Sequence, residues 1–185
     1  MTDGPGMRED EVVLVDADDR PVGRAGKLAA HRRNLRHRAI SVLIFDDSGR
    51  MLLQRRSLVK YHSPSLWSNA CCTHPRPGED PAAAAGRRLR EEMGISPPLS
   101  FAGLFAYEAQ VGPGLWENEV VHVFTGRHDE GHEGRPHPDP DEVDAFAWHE
   151  VDALCDDIAA APARYTAWFR LYAQAPWFAG PARAA

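Results

Sequence analysis

Cys72 and His74 stand two residues apart in the run NACCTHP. On an extended backbone, residues two apart project the same way, so a thiol and an imidazole would enter one site. A free thiol ionises at roughly pH 8.5, and can both give and take a proton near neutrality. Glu117 and Glu119 repeat that spacing just before the apolar run 120–124. Two carboxylates on one face repel unless a cation or a shared proton relieves them. His31 and His37 precede the strongest apolar run of the chain. His31, His37, His74, Glu117 and Glu119 together make a donor set that suits Mn²⁺ or Zn²⁺ with five or six ligands. The run 80–93 adds Arg87, Arg88, Glu91 and Glu92. Arg88 and Glu92, four apart, share a helix face. Singly, each group has a commoner structural explanation: a buried thiol, an exposed loop end, a surface salt bridge.

These residues need elements to hold them. Residues 11–15 read as a short strand, 16–23 as turn chemistry, and 24–33 as a short helix. Residues 39–45 read as a buried strand, followed by a hairpin turn and a return strand from residue 51. A long irregular stretch, 57–78, follows; irregular backbone of that length in a small domain is often functional. The helix over 80–93 is fully punctuated, with Asp80 as N-cap, Pro81 at the first position and Gly94 as the stop. Runs 100–107, 120–126 and 143–148 read as strands, and 151–157 and 164–175 as helices. Residues 128–142 read as a polar loop, with His128, His132 and His137 solvated. His62, His122 and His149 carry no assignment. Residues 1–10 are expected to be a disordered lead, and 176–185 a loose tail. Between them, residues 11–175 form one domain of α/β (α+β) class, a mixed sheet flanked by helices.

The chain has 185 residues, 43% hydrophobic and 26% charged, with a formal net charge of −6. That size suits one domain with a sizeable core. The negative charge argues against nucleic acid or an anionic membrane as partner. No apolar run reaches the roughly 18 residues of a spanning helix. The three cysteines have no framework spacing. With no signal-peptide pattern, they point to reduced thiols and a cytoplasmic monomer. Lys27 and Lys60 are the only lysines among many arginines, which suggests that their positions matter.

Gly78-Glu79 and the helix ending Glu-Glu-Met-Gly-Ile resemble the Nudix box, in which glutamates hold a divalent metal against a diphosphate. The match departs at Thr73, where the box has Gly, and at Arg88, where it has Glu. A guanidinium there grips a diphosphate by a bidentate fork instead of adding a metal ligand, so the helix reads as holding a diphosphate without hydrolysing it. In wider compass, KLAAH (27–31), LRH (35–37), RRSLVKYHSPSLWSNACCTHP (55–75), RRLREEMG (87–94), FAYEA (105–109), ENEV (117–120), DEV (141–143) and YTAWF (165–169) resemble the type 1 isopentenyl-diphosphate Δ-isomerases.

That resemblance implies a single Nudix-like domain that converts isopentenyl diphosphate to dimethylallyl diphosphate, with a small prenyl diphosphate as its partner. It implies Cys72 and Glu119 as the catalytic pair, with Tyr107 hydrogen-bonded near Glu119. It implies a protein-bound Mn²⁺ or Zn²⁺ on His31, His37, His74, Glu117 and Glu119. A Mg²⁺ would bridge the diphosphate, Glu92 and the Cys72 carbonyl. Arg56, Lys60 and Arg88 would hold the diphosphate, Trp168 would cover the hydrocarbon end, and Trp67 would wall the pocket. Cys71 is expected to face away into packing. A Nudix hydrolase of a nucleotide or other diphosphate is the alternative on the same motifs.

Overall fold

The computed structural model describes residues 11–179. The expected lead, 1–10, and residues 180–185 lie outside them. In chain order the elements are β1 (Glu11–Val15), β2 (Pro21–Gly26), α1 (Lys27–Arg32), β3 (His37–Phe45), β4 (Met51–Arg56), β5 (Trp67–Asn69), β6 (Cys71–Thr73) and α2 (Pro81–Met93). Then come β7 (Leu99–Gly112), β8 (Leu115–Arg127), α3 (Glu130–Glu133), β9 (Val143–His149), α4 (Val151–Ala160) and α5 (Ala167–Tyr172).

The mixed sheet is organised on β3, whose apolar run is buried on both faces. Successive side chains alternate across it. Ile40, Val42 and Ile44 meet Ala84, Ala85, Leu89 and Met93 of α2. Ala39, Leu43 and Phe45 meet the opposite core, which contains Leu154 of α4 and Trp168, Phe169 and Tyr172 of α5. β3 pairs in parallel with β8 and antiparallel with β6, while β7 and β8 form a long antiparallel hairpin.

Helix α2 begins and ends as its punctuation requires. Asp80 Oδ1 accepts the Ala82 and Ala83 amides at 3.0 Å each, and Pro81 needs no partner there. Gly94 closes the helix at φ 70°, where a Cβ would sit 2.6 Å from the His137 carbonyl oxygen. Both the sign of φ and the close approach require glycine.

Several expected boundaries move. The turn after β1 closes within five residues, because Asp16 Oδ1 accepts from the Asp18 and Arg20 amides. Pro21–Gly26 is then an edge strand on β1, not turn. Pro21 is its first residue, a place where a missing amide costs no ladder bond. Helix α1 shortens to Lys27–Arg32. The irregular stretch contains the two short strands β5 and β6. The last helix is preceded by a 3₁₀ turn, Pro162–Arg164, and starts only at Ala167. Residues Pro176–Ala179, expected in a loose tail, form a 3₁₀ turn whose Phe178 is buried in the core.

The expected polar loop holds one helical turn, α3, and His128 is not solvated. It is 2% exposed, stacks on Trp148 with ring centroids 6.5 Å apart, and bonds the Gly134 carbonyl oxygen. His132 and His137 are exposed as expected. No helix among the described residues is long and apolar enough to cross a membrane.

Candidate active site and metal centre

Strand register brings the distant residues together. The β3–β8 register sets His37 opposite Glu119. The β7–β8 register sets Tyr107 opposite Glu119 and Ala109 opposite Glu117. The β3–β6 register sets Ser41 opposite Cys72, so His74, just past the end of β6, arrives beside His37. Helix α1 delivers His31 from its last turn, fully buried. Ligand atoms of His31, His37, His74 and Glu119 all lie within 4.8 Å of one another.

The contacts are short. His37 Nε2 and His74 Nε2 are 3.1 Å apart, and His74 Nε2 is 3.0 Å from Glu119 Oε1. His37 Nδ1 donates to the Leu35 carbonyl at 2.7 Å. A carbonyl only accepts, so the neutral ring keeps its lone pair on Nε2, facing the cluster. His31 Nδ1 meets the Tyr61 hydroxyl at 3.0 Å, while its buried Nε2 has no hydrogen-bond partner among the described residues. An unsatisfied buried nitrogen beside two other imidazoles and a carboxylate fits a divalent cation. Glu117 stands just behind this group. The single Tyr107 hydroxyl lies 2.8 Å from Glu117 Oε2 and 2.9 Å from Glu119 Oε2, and donates to one carboxylate at a time.

Burial sets the proton affinities. It lowers His31 to about 3, aided by the charge of His74. It lowers His74 to about 4 against the opposing pull of Glu119. Both rings are therefore neutral at pH 7, as metal ligands must be. Burial alone would raise Glu119, but the His37 and His74 imidazoles beside it hold its carboxyl well below the usual range. Burial and the neighbouring Glu119 charge push Glu117 well above it. The Tyr107 hydroxyl thus lies between a carboxyl that is pushed up and one that is held low. Burial, then the two carboxylates, push the Cys72 thiol up.

Cys72 and Cys71 separate as expected. Cys71 is fully buried against α2, and Cys72 packs toward the opposite core and lines the cleft. Glu117, Glu119 and Trp168 line the same cleft, as do Arg56, Lys60, Arg88 and Glu92. Arg56 is anchored by the Ser63 and His62 carbonyls at 3.2 Å each, with its guanidinium 5.2 Å from the Trp168 ring centre. Arg88 bonds Glu92 at 2.8 Å and Glu142 at 3.2 Å, and Lys60 also pairs with Glu142. Burial lowers Lys60 to about 8, countered by Glu92.

Trp67 is not part of this wall. It lies opposite Arg55 on β4, whose guanidinium is 5.8 Å from its ring centre, has His149 edge-on at 6.0 Å, and packs against the core on the α5 side of the sheet. Three residues without a role on sequence grounds join the site. Glu142 bridges Arg88 and Lys60. His62 is 6% exposed, 3.8 Å from Glu117 Oε1 and edge-on to Trp168. Tyr61 reaches His31. The signal for all three was adjacency to assigned segments, since Tyr61 and His62 follow Lys60 directly and Glu142 sits in DEV.

The NUDIX domain family matches residues 35–169. The chain is 51% identical over 160 residues to isopentenyl-diphosphate Delta-isomerase 2 of Aromatoleum aromaticum, covering 86% of this chain and 82% of that protein. It is 44% identical to the isopentenyl-diphosphate Delta-isomerase of Serratia proteamaculans, covering 87% and 88%. Among solved structures, DR0079 from Deinococcus radiodurans aligns with a TM-score of 0.72 over 89% of this chain and 97% of that one. Its 18% identity speaks for the fold alone. By fold, box and close relatives, the chain belongs to the NUDIX domain family and, within it, to the isopentenyl-diphosphate Delta-isomerases.

Proposed function

We infer that the protein isomerises isopentenyl diphosphate to dimethylallyl diphosphate. The observation that carries this reading is the convergence of Cys72, Glu119 and Trp168 on one cleft that Arg56, Lys60 and Arg88 also line. Moving the double bond requires a proton added at C4 and another removed from C2, through a tertiary carbocation or something close to it. Two proton carriers spare either one from travelling around the substrate. Glu119 delivers the C4 proton: its own carboxyl is held low, so the proton is drawn from Glu117, whose carboxyl is pushed up, across the Tyr107 hydroxyl that bonds both. Cys72 takes the C2 proton; burial makes a thiolate there hold a proton tightly. Trp168 offers its ring face to the cation, worth about 2 kcal/mol when desolvated. Arg56, Lys60 and Arg88 anchor the diphosphate, converting remote binding energy into orientation of the small alkene.

His31, His37, His74, Glu117 and Glu119 would hold the protein-bound Mn²⁺ or Zn²⁺, and Glu92 with the Cys72 carbonyl would hold a Mg²⁺ brought with the diphosphate. Such ions supply charge neutralisation and lower the proton affinity of the groups beside them. Arg88 favours this reading over diphosphate hydrolysis, because a cation occupies the position of a metal-binding carboxylate.

The deciding assay gives purified protein, with Mg²⁺, isopentenyl diphosphate and, separately, nucleoside diphosphate derivatives. Dimethylallyl diphosphate without phosphate release is expected. Phosphate release without dimethylallyl product would overturn the isomerase reading in favour of a hydrolase.

A further inference from the structure

The metal-facing histidines are not fixed alike. His37 Nδ1 donates to a backbone carbonyl, which can only accept, so its proton position is set by the fold. His31 Nδ1 meets a hydroxyl, that of Tyr61, at 3.0 Å. A hydroxyl both donates and accepts, so the His31 tautomer is set by which way that bond runs. Only when the Tyr61 oxygen accepts the Nδ1–H does Nε2 keep its lone pair. That Nε2 is the buried nitrogen with no other partner. His31 itself is fully buried on the short helix α1, so its ring has no solvent to choose for it.

Tyr61 comes from elsewhere in the fold, the connection between β4 and β5, and is 47% exposed. Its ring packs 6.0 Å from that of His31 and edge-on to His62 at 4.5 Å. Its chain neighbour Lys60 faces the diphosphate end of the same cleft. The two ends of the site are thus tied to adjacent residues of one connecting segment.

We propose that Tyr61 is a positioning residue for the metal centre: its hydroxyl accepts the His31 Nδ1 proton and thereby aims Nε2 at the cation. This rests on the metal reading given above. Outer partners of ligating histidines fix tautomer and ring orientation, and their loss typically costs about 10–100-fold in metal affinity. Among the described residues the Tyr61 hydroxyl is the one hydrogen-bond partner of His31 Nδ1, so its removal leaves that nitrogen without a partner among them.

The test measures Zn²⁺ and Co²⁺ affinity of the full chain by competition with a chromophoric chelator, for wild type, Tyr61→Phe and His31→Ala. The phenylalanine variant keeps the ring and its packing. The expected result is affinity weakened about 10–100-fold in Tyr61→Phe, with a shifted Co²⁺ absorption band at saturating metal and an unchanged metal-free melting temperature. His31→Ala is expected to weaken affinity further. Wild-type affinity and spectrum in Tyr61→Phe, with affinity lost in His31→Ala, would overturn the role of Tyr61 and leave the metal centre standing. Wild-type affinity in both would overturn His31 as a ligand, and this proposal with it.

Discussion

At the scale of single residues, the site is an arrangement of protons held by burial. Cys72→Ala and Glu119→Gln are each expected to cut turnover at least ~100-fold, while circular dichroism stays native. Steady-state rates on isopentenyl diphosphate check this, and wild-type turnover in either variant would refute the assigned pair. Acid should expose the buried imidazoles. His31 and His74 are lowered by burial to about 3 and about 4, so the unfolded chain binds protons that the folded one refuses. Their contribution is intact above the unfolded value of roughly 6.5 and is lost as pH falls from there through the folded values. Melting curves of chelator-treated protein between pH 7 and pH 4 should therefore fall with pH; a flat profile would refute the neutral assignment. The thiol with His74, and the carboxylate pair, were legible from residue type and i, i+2 spacing; His31 and His37 entered only through residue type and the family resemblance. Tyr61 and Glu142 were not, because their meaning lies in a contact to one distant atom that spacing does not encode.

At the scale of elements, α2 is where local rules and tertiary packing agree best. Its cap, its proline and its glycine stop all appear where the sequence puts them. Leu89 is fully buried between α2 and β3, so Leu89→Ala should cost about 2–5 kcal/mol in a denaturant titration. The boundaries that escaped sequence reasoning share a cause. β2, β5 and β6 are short and have no periodicity of their own; neighbouring strands make them strands. Trp67 was misplaced for the same reason, since the face it shows depends on pairing with Arg55. Between elements, Glu142 holds Lys60 and Arg88 as a built-in anion. Glu142→Gln should release Lys60, leave Arg88 on Glu91 and Glu92, and tighten pyrophosphate binding several-fold by calorimetry. Weaker binding would mean instead that Glu142 helps to hold the diphosphate.

At the scale of the whole molecule, the sheet separates two cores and the cleft draws on both. Glu92 comes from the α2 side, while Trp168 comes from the α5 side. A cation bound among His31, His37, His74 and Glu119 would cross-link α1, β3, the segment after β6, and β8. A ligand at about 100 times its dissociation constant adds about 2.7 kcal/mol to stability. For a chain of this size that corresponds to roughly 5–10 °C of melting temperature. Calorimetry with and without chelator should show that difference, and its absence would argue against a metal centre.

The two adjacent cysteines carry one more consequence. β6 has three residues, and Asn69 locks it by bonding the Cys71 carbonyl at 2.7 Å and the Val42 carbonyl at 3.0 Å. A frame shift of one residue would exchange the two sulfurs and turn His74 away from the other imidazoles. Asn69 is thus the index mark by which folding tells two chemically identical thiols apart, hiding one in oil and handing the other to the cleft.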